Sequence, residues 1–493
     1  MDTKRSSGIL LHPTSLPGKY GIGSLGSHAI QFIDYLEKAG QKLWQVLPMG
    51  HTGYGDSPYQ CFSIFAGNPI LIDLDLLKEQ GLLEDADLKT EFGFPDDKVD
   101  YGAVINFKRQ VISKAYERFL KKKKGYEKFE DFKAHNAHWL KDYTLFIAIK
   151  ESRGGQPWWD WDEDFKMRDP GTLEKFSKEH RKETGFHEFV QYQFNEQWQN
   201  VKAYANKKGI SIIGDIPLYV AHDSADVWSN AEVFQFDEDK KPLKVAGVPP
   251  DYFSRTGQLW GNPLFDWGTM QKNGFKWWIE RIRATTELYD IVRIDHFRGF
   301  EAYWAVPYGD KTAMNGEWVK APGKELFETV KKELGTLPII AEDLGIITPE
   351  VEALRDHFEF PGMKILQFAF HSDEGSGYLP HNYTRNFIVY TGTHDNDTLR
   401  GWFDALEPEI KQRVMDYADA SENNVVEKMI RLAWGSTARM AVIPLQDMLG
   451  LGSKARMNTP GTPSGNWQWR FSKGQLTDEK AGWLAHLTKI YNR

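Results

Sequence analysis

The chain has 493 residues, 41% hydrophobic and 26% charged, the make-up of an ordinary globular protein. A net charge of −8 leaves no basic footprint for nucleic acid and gives no attraction to anionic membrane surfaces. The single cysteine, Cys61, excludes an intramolecular disulfide and points to a reducing compartment.

Taken from the start, Met1 to Arg5 is charged, but the apolar run after it, Ile9-Leu10-Leu11, is too short for the core of a signal peptide. No stretch reaches the length of a membrane span, so a cytoplasmic protein is expected. Gly8 to Leu11 reads as a short buried strand that ends at His12-Pro13. Gly21 to Gly26 matches G-x-G-x-x-G ahead of a helical pattern from Ala29 to Ala39. Two prolines and a loop separate it from its strand, however, and the next strand, Leu43 to Leu47, ends in Pro48 with no acid for a ribose. Dinucleotide binding needs both features, so no dinucleotide cofactor is expected.

Gly53-Tyr54-Gly55-Asp56-Ser57-Pro58-Tyr59-Gln60 is a turn-rich loop with aromatic and hydroxyl groups, as substrate loops often have. Residues 75–210 are mostly helical in pattern. The run Lys121 to Lys124 reads as a solvated helix end. The tryptophans Trp158, Trp159 and Trp161 read as anchors of this helical segment to the main body.

From residue 211 short apolar runs end in polar residues: Ile212 to Asp215, Ile291 to Asp295, Leu337 to Asp343, Met363 to Phe368, Phe387 to Asp395 and Ala441 to Asp447. With the two N-terminal runs these make eight strand candidates, most of them separated by helical patterns. The expectation is an α/β chain with one catalytic (β/α)8 TIM barrel over 1–493, carrying large, mostly helical insertions on the C-terminal face of the barrel. The first insertion spans about 50–210, after strand two, and a second substrate loop spans about 216–290, after strand three.

Closing such a barrel would bring Asp215, Asp295, Glu342, His394 and Asp395 to one mouth. Arg293, two residues before Asp295, points to the same side of its strand and would keep that carboxylate ionised. Acids gathered on one face repel each other, so their assembly needs a reason. Divalent metal binding is one; glycosyl transfer, in which one carboxylate attacks and another donates a proton, is the other. Arg293 and His394 place positive or donor character among the acids, and Tyr59, Trp260 and Trp467 offer stacking surfaces, which favours a neutral polyhydroxyl substrate.

The strings VRIDHFRGF, IIAEDLG, TGTHDNDT, GYGDSPYQ, GDIPLYVA, VAGVPPDYFSRTGQLWGNPLFDW and RMNTPGTPSGNWQWR resemble segments of the 4-α-glucanotransferase family (amylomaltase, or disproportionating enzyme), a branch of the α-amylase clan. The resemblance runs from Gly8 to Phe471. It implies a barrel without a separate C-terminal β-sandwich domain, and no metal or other cofactor. It implies transfer of α-1,4-glucan segments from a maltodextrin donor to glucose or an oligosaccharide acceptor by a retaining mechanism. Asp295 would be the nucleophile, Glu342 the general acid and then base, and Asp395 the third carboxylate. Arg293 and His394 would surround the sugar at the cleavage point, and Ser57, Tyr59, Asp215, Asp251, Gln258, Trp260 and Asn466 would bind glucan. Retention calls for the two working carboxyls to lie about 5–5.5 Å apart. The apolar residues before Glu342 should raise its pKa. The segment from Val245 to Trp267 is expected to act as a lid that excludes water. A glucan hydrolase of the same clan, and a non-catalytic maltodextrin-binding protein, are the rival readings.

Overall fold

A computed structural model describes residues 4–122, 125–250, 254–371 and 376–493. Eight parallel strands form its centre: β1 Ser6–Leu10, β2 Leu43–Gln45, β3 Ser211–Pro217, β4 Ile291–Asp295, β5 Ile339–Ala341, β6 Gly362–Ile365, β7 Phe387–Tyr390 and β8 Met440–Pro444. Their hydrogen-bonded order is β6-β7-β8-β1-β2-β3-β4-β5. At the seam Ala341 N–H of β5 donates to the Pro361 carbonyl, just ahead of β6, at 2.9 Å. The result is a (β/α)8 barrel, and each of the eight strands expected from the sequence is present in it.

Period-two alternation explains how these short runs make two cores at once. Leu10, Leu43, Ile213, Ile340, Met363, Ile365, Ile388, Tyr390 and Val442 fill the inside of the barrel. Their strand neighbours Ile9, Trp44, Ile212, Ile339, Val389, Ala441 and Ile443 turn outward against the helices. Gly214 is required by packing, since a Cβ there would sit 2.1 Å from the Tyr289 ring.

The helices follow the same economy. Ser27–Lys38 buries Ala29, Phe32, Ile33 and Leu36, an i, i+3, i+4, i+7 stripe, against the sheet. Between β2 and β3 lie the helices Leu74–Glu79, Tyr101–Lys122, Tyr126–His135, Ala137–Ser152, Glu163–Lys166, Pro170–Glu179 and Arg181–Lys207. The last of these packs on the other long helices of the segment as well as on Ser27–Lys38 and β3, so it joins the segment to the barrel. Trp158 and Trp161 are buried against His222 and Trp228, so they tie the segment to the stretch after β3 rather than to the barrel strands.

One element was not legible as structure. Lys244–Val248 and Gln258–Pro263, read from the sequence as loop, are strands of a four-stranded antiparallel sheet completed by Ala302–Pro307 and Glu317–Lys320. Prolines and glycines hide the pattern locally, and one of the two pairing partners of Lys244–Val248 lies beyond β4 in the chain.

Candidate active site

The C-terminal ends of β3, β4, β5 and β7 bring four carboxyl groups to the barrel mouth, because each apolar run stops where the sheet opens to solvent. Arg293 joins two of them. Its Nη1 donates to Asp215 Oδ2 at 2.5 Å and its Nη2 to Asp295 Oδ1 at 2.8 Å. Asp215 is wholly buried and Arg293 nearly so, whereas the Asp295 side chain keeps 32% of its surface open to the cleft. Tyr59, arriving from the loop after β2, donates its hydroxyl to Asp215 Oδ2 at 2.7 Å. Its ring stacks on His394 with centroids 5.2 Å apart and 15° between planes, and Trp467 flanks both rings.

Glu342 sits beside β4 through the backbone. His296 adopts a left-handed conformation, φ 56°, immediately after Asp295. That turn aims its N–H at Glu342 Oε2, 2.6 Å away, while Leu344 N–H donates to Oε1 at 2.9 Å. Asp395 is held differently: Asn458 Nδ2 donates to Oδ1 at 2.6 Å, His394 Nε2 lies 3.3 Å from Oδ2, and Arg456 fixes the backbone carbonyl.

These settings drive the acids apart. Burial, and then the negative charge of Asp295, push the Glu342 carboxyl up to about 8, against the pull of Arg293 and of two backbone N–H donors. Burial also raises Asp295, but the guanidinium of Arg293 in direct contact opposes it. The proton shared by this pair therefore belongs on Glu342, which has no cationic partner in contact among the described residues. Burial acts upward on Asp395 too, yet His394, Asn458 and Arg293 outweigh it and hold that carboxyl at about 2. One acid is protonated near neutrality beside two carboxylates, the arrangement that acid–base and nucleophilic work on a single bond requires.

A cleft of about 720 Å³ lies over these groups, within the size range of ordinary ligand sites. Tyr59, Tyr219, Trp260, His296, Asp395, Asn458 and Trp467 are among its lining residues.

Residues 11–477 match the family model described as 4-alpha-glucanotransferase. The 4-alpha-glucanotransferase of Synechocystis sp. is 53% identical over 496 residues, covering 99% of this chain and 98% of that one. The 4-alpha-glucanotransferase of Thermus thermophilus is 49% identical with 100% of both chains covered. This chain belongs to the 4-α-glucanotransferase family. Amylomaltase from Streptococcus agalactiae, solved in complex with acarbose, superposes with a TM-score of 0.97 at 44% identity, covering 99% of this chain and 100% of that one.

In this family member Ser57, Tyr59, Gln258, Trp260, Asp295, Asp395 and Asn466 line the cleft. Asp215, Arg293 and His394 lie beneath its surface, so Asp215 acts on whatever fills the cleft only through Tyr59 and Arg293. Glu342 is half-buried beside His296. Asn466 spends its amide on its own loop, accepting from Thr459 N–H and donating to the Thr462 carbonyl. Asp251 falls outside the described residues. Sequence reasoning missed His296, Asn458 and Arg456. Asn458 stands in the same RMNTPGTPSGNW string as Asn466, and its spacing carries no signal, because the contact to Asp395 joins two separate loops. Among the described residues no group of three His, Cys, Asp or Glu side chains could hold a metal ion.

Proposed function

We propose that the chain transfers α-1,4-glucan segments by double displacement, with Asp295 as nucleophile, Glu342 as acid and then base, and Asp395 holding the sugar ring at the cleavage point. A maltodextrin donor lies along the cleft. Asp295 attacks the anomeric carbon while Glu342 passes its proton to the glycosidic oxygen, releasing the shortened glucan and leaving a glucosyl ester on Asp295. The 4-hydroxyl of an acceptor glucan or glucose then attacks that carbon. Glu342, now a carboxylate, takes the hydroxyl proton, Asp295 leaves, and an α-1,4 bond is restored.

The observation that carries this reading is the division of charge between neighbours: Arg293 in contact with Asp295, and a raised carboxyl at Glu342 joined to the next residue. Arg293 and His394 complete the surroundings of the reacting sugar from beneath the cleft, Ser57, Tyr59, Asp251, Gln258, Trp260 and Asn466 form the wider glucan-binding set, and Asp215 supports it through Tyr59 and Arg293. No step needs a metal or another cofactor. No helix among the described residues is long and apolar enough to cross a membrane, and with the lone Cys61 this supports work in the cytoplasm.

Asp295→Asn tests the assignment. Turnover of maltotriose is expected to fall by about a thousandfold or more, as when the residue forming a covalent intermediate is removed. Retained activity, or products of inverted anomeric configuration by proton NMR, would remove Asp295 from the role.

A further inference from the structure

The four-stranded antiparallel sheet carries an apolar surface for which the cleft does not account. Of twelve strongly exposed large apolar side chains among the described residues, five (Leu243, Leu259, Tyr308, Met314 and Trp318) belong to this sheet or lie on the chain beside its strands. Scattered exposed apolar residues need no explanation, but a concentration of them marks a contact surface.

The register places them. Leu259 pairs with Gly247, Gly247 with Trp304, and Trp304 with Trp318. Directly opposed residues of antiparallel strands share a face. Leu259, Trp304 and Trp318 therefore stand in one row on one face, spanning about 14 Å at the usual strand spacing. Trp304 Nε1 donates to the Ala313 carbonyl at 2.8 Å, so the loop from Ala313 to Gly316 lies over Gly247 and Trp304 in the middle of the row and presents Met314 on its outer side. The Trp304 and Trp318 rings meet edge to face with centroids 5.2 Å apart. The Arg298 guanidinium lies over Trp318 at 3.8 Å, so this indole is fixed in place while 40% of the residue stays exposed. A pinned aromatic loses little freedom when something docks on it.

One end of the row reaches the cleft. Gln258–Pro263 is the edge strand, and Gln258, Leu259 and Trp260 line the cleft wall. Trp260 turns to the inner face, its ring against the His296 edge at 4.8 Å. Leu259 turns to the outer face. A chain running over this rim would pass onto the row. Of the lysines on these strands, Lys244 is paired with Glu317 and Lys320 with Glu301.

We propose that the outer face of this sheet, from Leu259 past Met314 to Trp304 and Trp318, is an external holding surface for the part of an α-glucan chain that extends beyond the cleft. This rests on the glucan-transfer reading above. Sugar rings of such a chain lay their apolar C–H faces on the aromatic rings, and their rim hydroxyls remain in water.

Steady-state kinetics with maltotriose and with long amylose, on wild type, Trp318→Ala, Trp318→Phe and Met314→Ser, test the proposal. For Trp318→Ala, KM for amylose should rise about fivefold, the size of one lost ring contact, with kcat unchanged and both constants for maltotriose unchanged. Met314→Ser should shift amylose KM in the same direction, and Trp318→Phe should restore most of the loss. Equal KM for amylose in all four proteins overturns the proposal. A parallel loss on maltotriose and amylose in Trp318→Ala, with Met314→Ser indistinguishable from wild type, overturns it in favour of Trp318 bracing Arg298. A wild-type dimer by sedimentation that Trp318→Ala dissociates, with no length-dependent change, overturns it in favour of a subunit interface. A wild type that turns over neither sugar would instead sink the glucan-transfer reading itself.

Discussion

Replacing Arg293 by Met leaves Asp215, which has no exposed surface, with only the Tyr59 hydroxyl as partner among the described residues, and leaves Asp295 without its cation. A buried carboxylate stripped of its counter-ion costs about 3–5 kcal/mol, so Arg293→Met should unfold at clearly lower urea concentration. Adding Asp215→Asn should return most of that stability without returning activity, because Asp295 stays unpaired. Recovery of both would mean that Arg293 serves the fold alone. Glu342 sets the pH response. Its carboxyl, raised to about 8, is protonated below that value and must give up its proton to cleave a bond. kcat/KM should therefore fall as pH rises through about 8, a limb that belongs to the Asp295–Glu342 pair jointly. In Asp295→Asn the neighbouring charge is gone, so Glu342, followed by carbon NMR, should titrate lower; an unmoved titration would show burial acting alone. The Arg293–Asp295 contact was legible in the sequence because residues two apart on a strand share a side. The Glu342–His296 bond was not: it depends on a left-handed turn at a histidine, which nothing in the residue pattern announces.

The eight barrel strands could be read because a parallel strand buried on both faces must be written as an apolar run, and the mouth begins where that run stops. The small sheet could not, since its strands carry Gly and Pro, its edge strand Gln258–Pro263 is largely exposed, and Lys244–Val248 also pairs with Ala302–Pro307 far along the chain. That sheet nevertheless builds one wall of the cleft. Trp260, on its edge strand, packs beside Tyr219 and His296 directly over the site. If this wall keeps water from the glucosyl ester and seats the acceptor, Trp260→Ala should lower the ratio of transfer to hydrolysis by about tenfold, the scale of one ring lost from an acceptor site. Parallel assays of new glycosidic bonds and new reducing ends measure that ratio, and an unchanged value would end the lid account.

At the scale of the whole molecule, the barrel supplies the acids while the segments between its strands supply nearly everything that would touch a sugar. Ser57 and Tyr59 come from the stretch after β2, Gln258 and Trp260 from the stretch after β3, and Asn458 and Trp467 from the stretch after β8. Arg293 fills the space between Asp215 and Asp295 where a cation would otherwise be needed. Chelators should accordingly leave the rate unchanged, and an EDTA-sensitive activity restored by a divalent ion would require another mechanism. In the transfer reading a second sugar, not water, resolves the intermediate. Incubating the protein with maltotriose alone and resolving the products over time tests this most directly. Free glucose together with a ladder of longer maltodextrins, and no net gain of reducing ends, is the outcome expected of transfer. Reducing ends that rise while only shorter products appear would contradict it and make the chain a hydrolase.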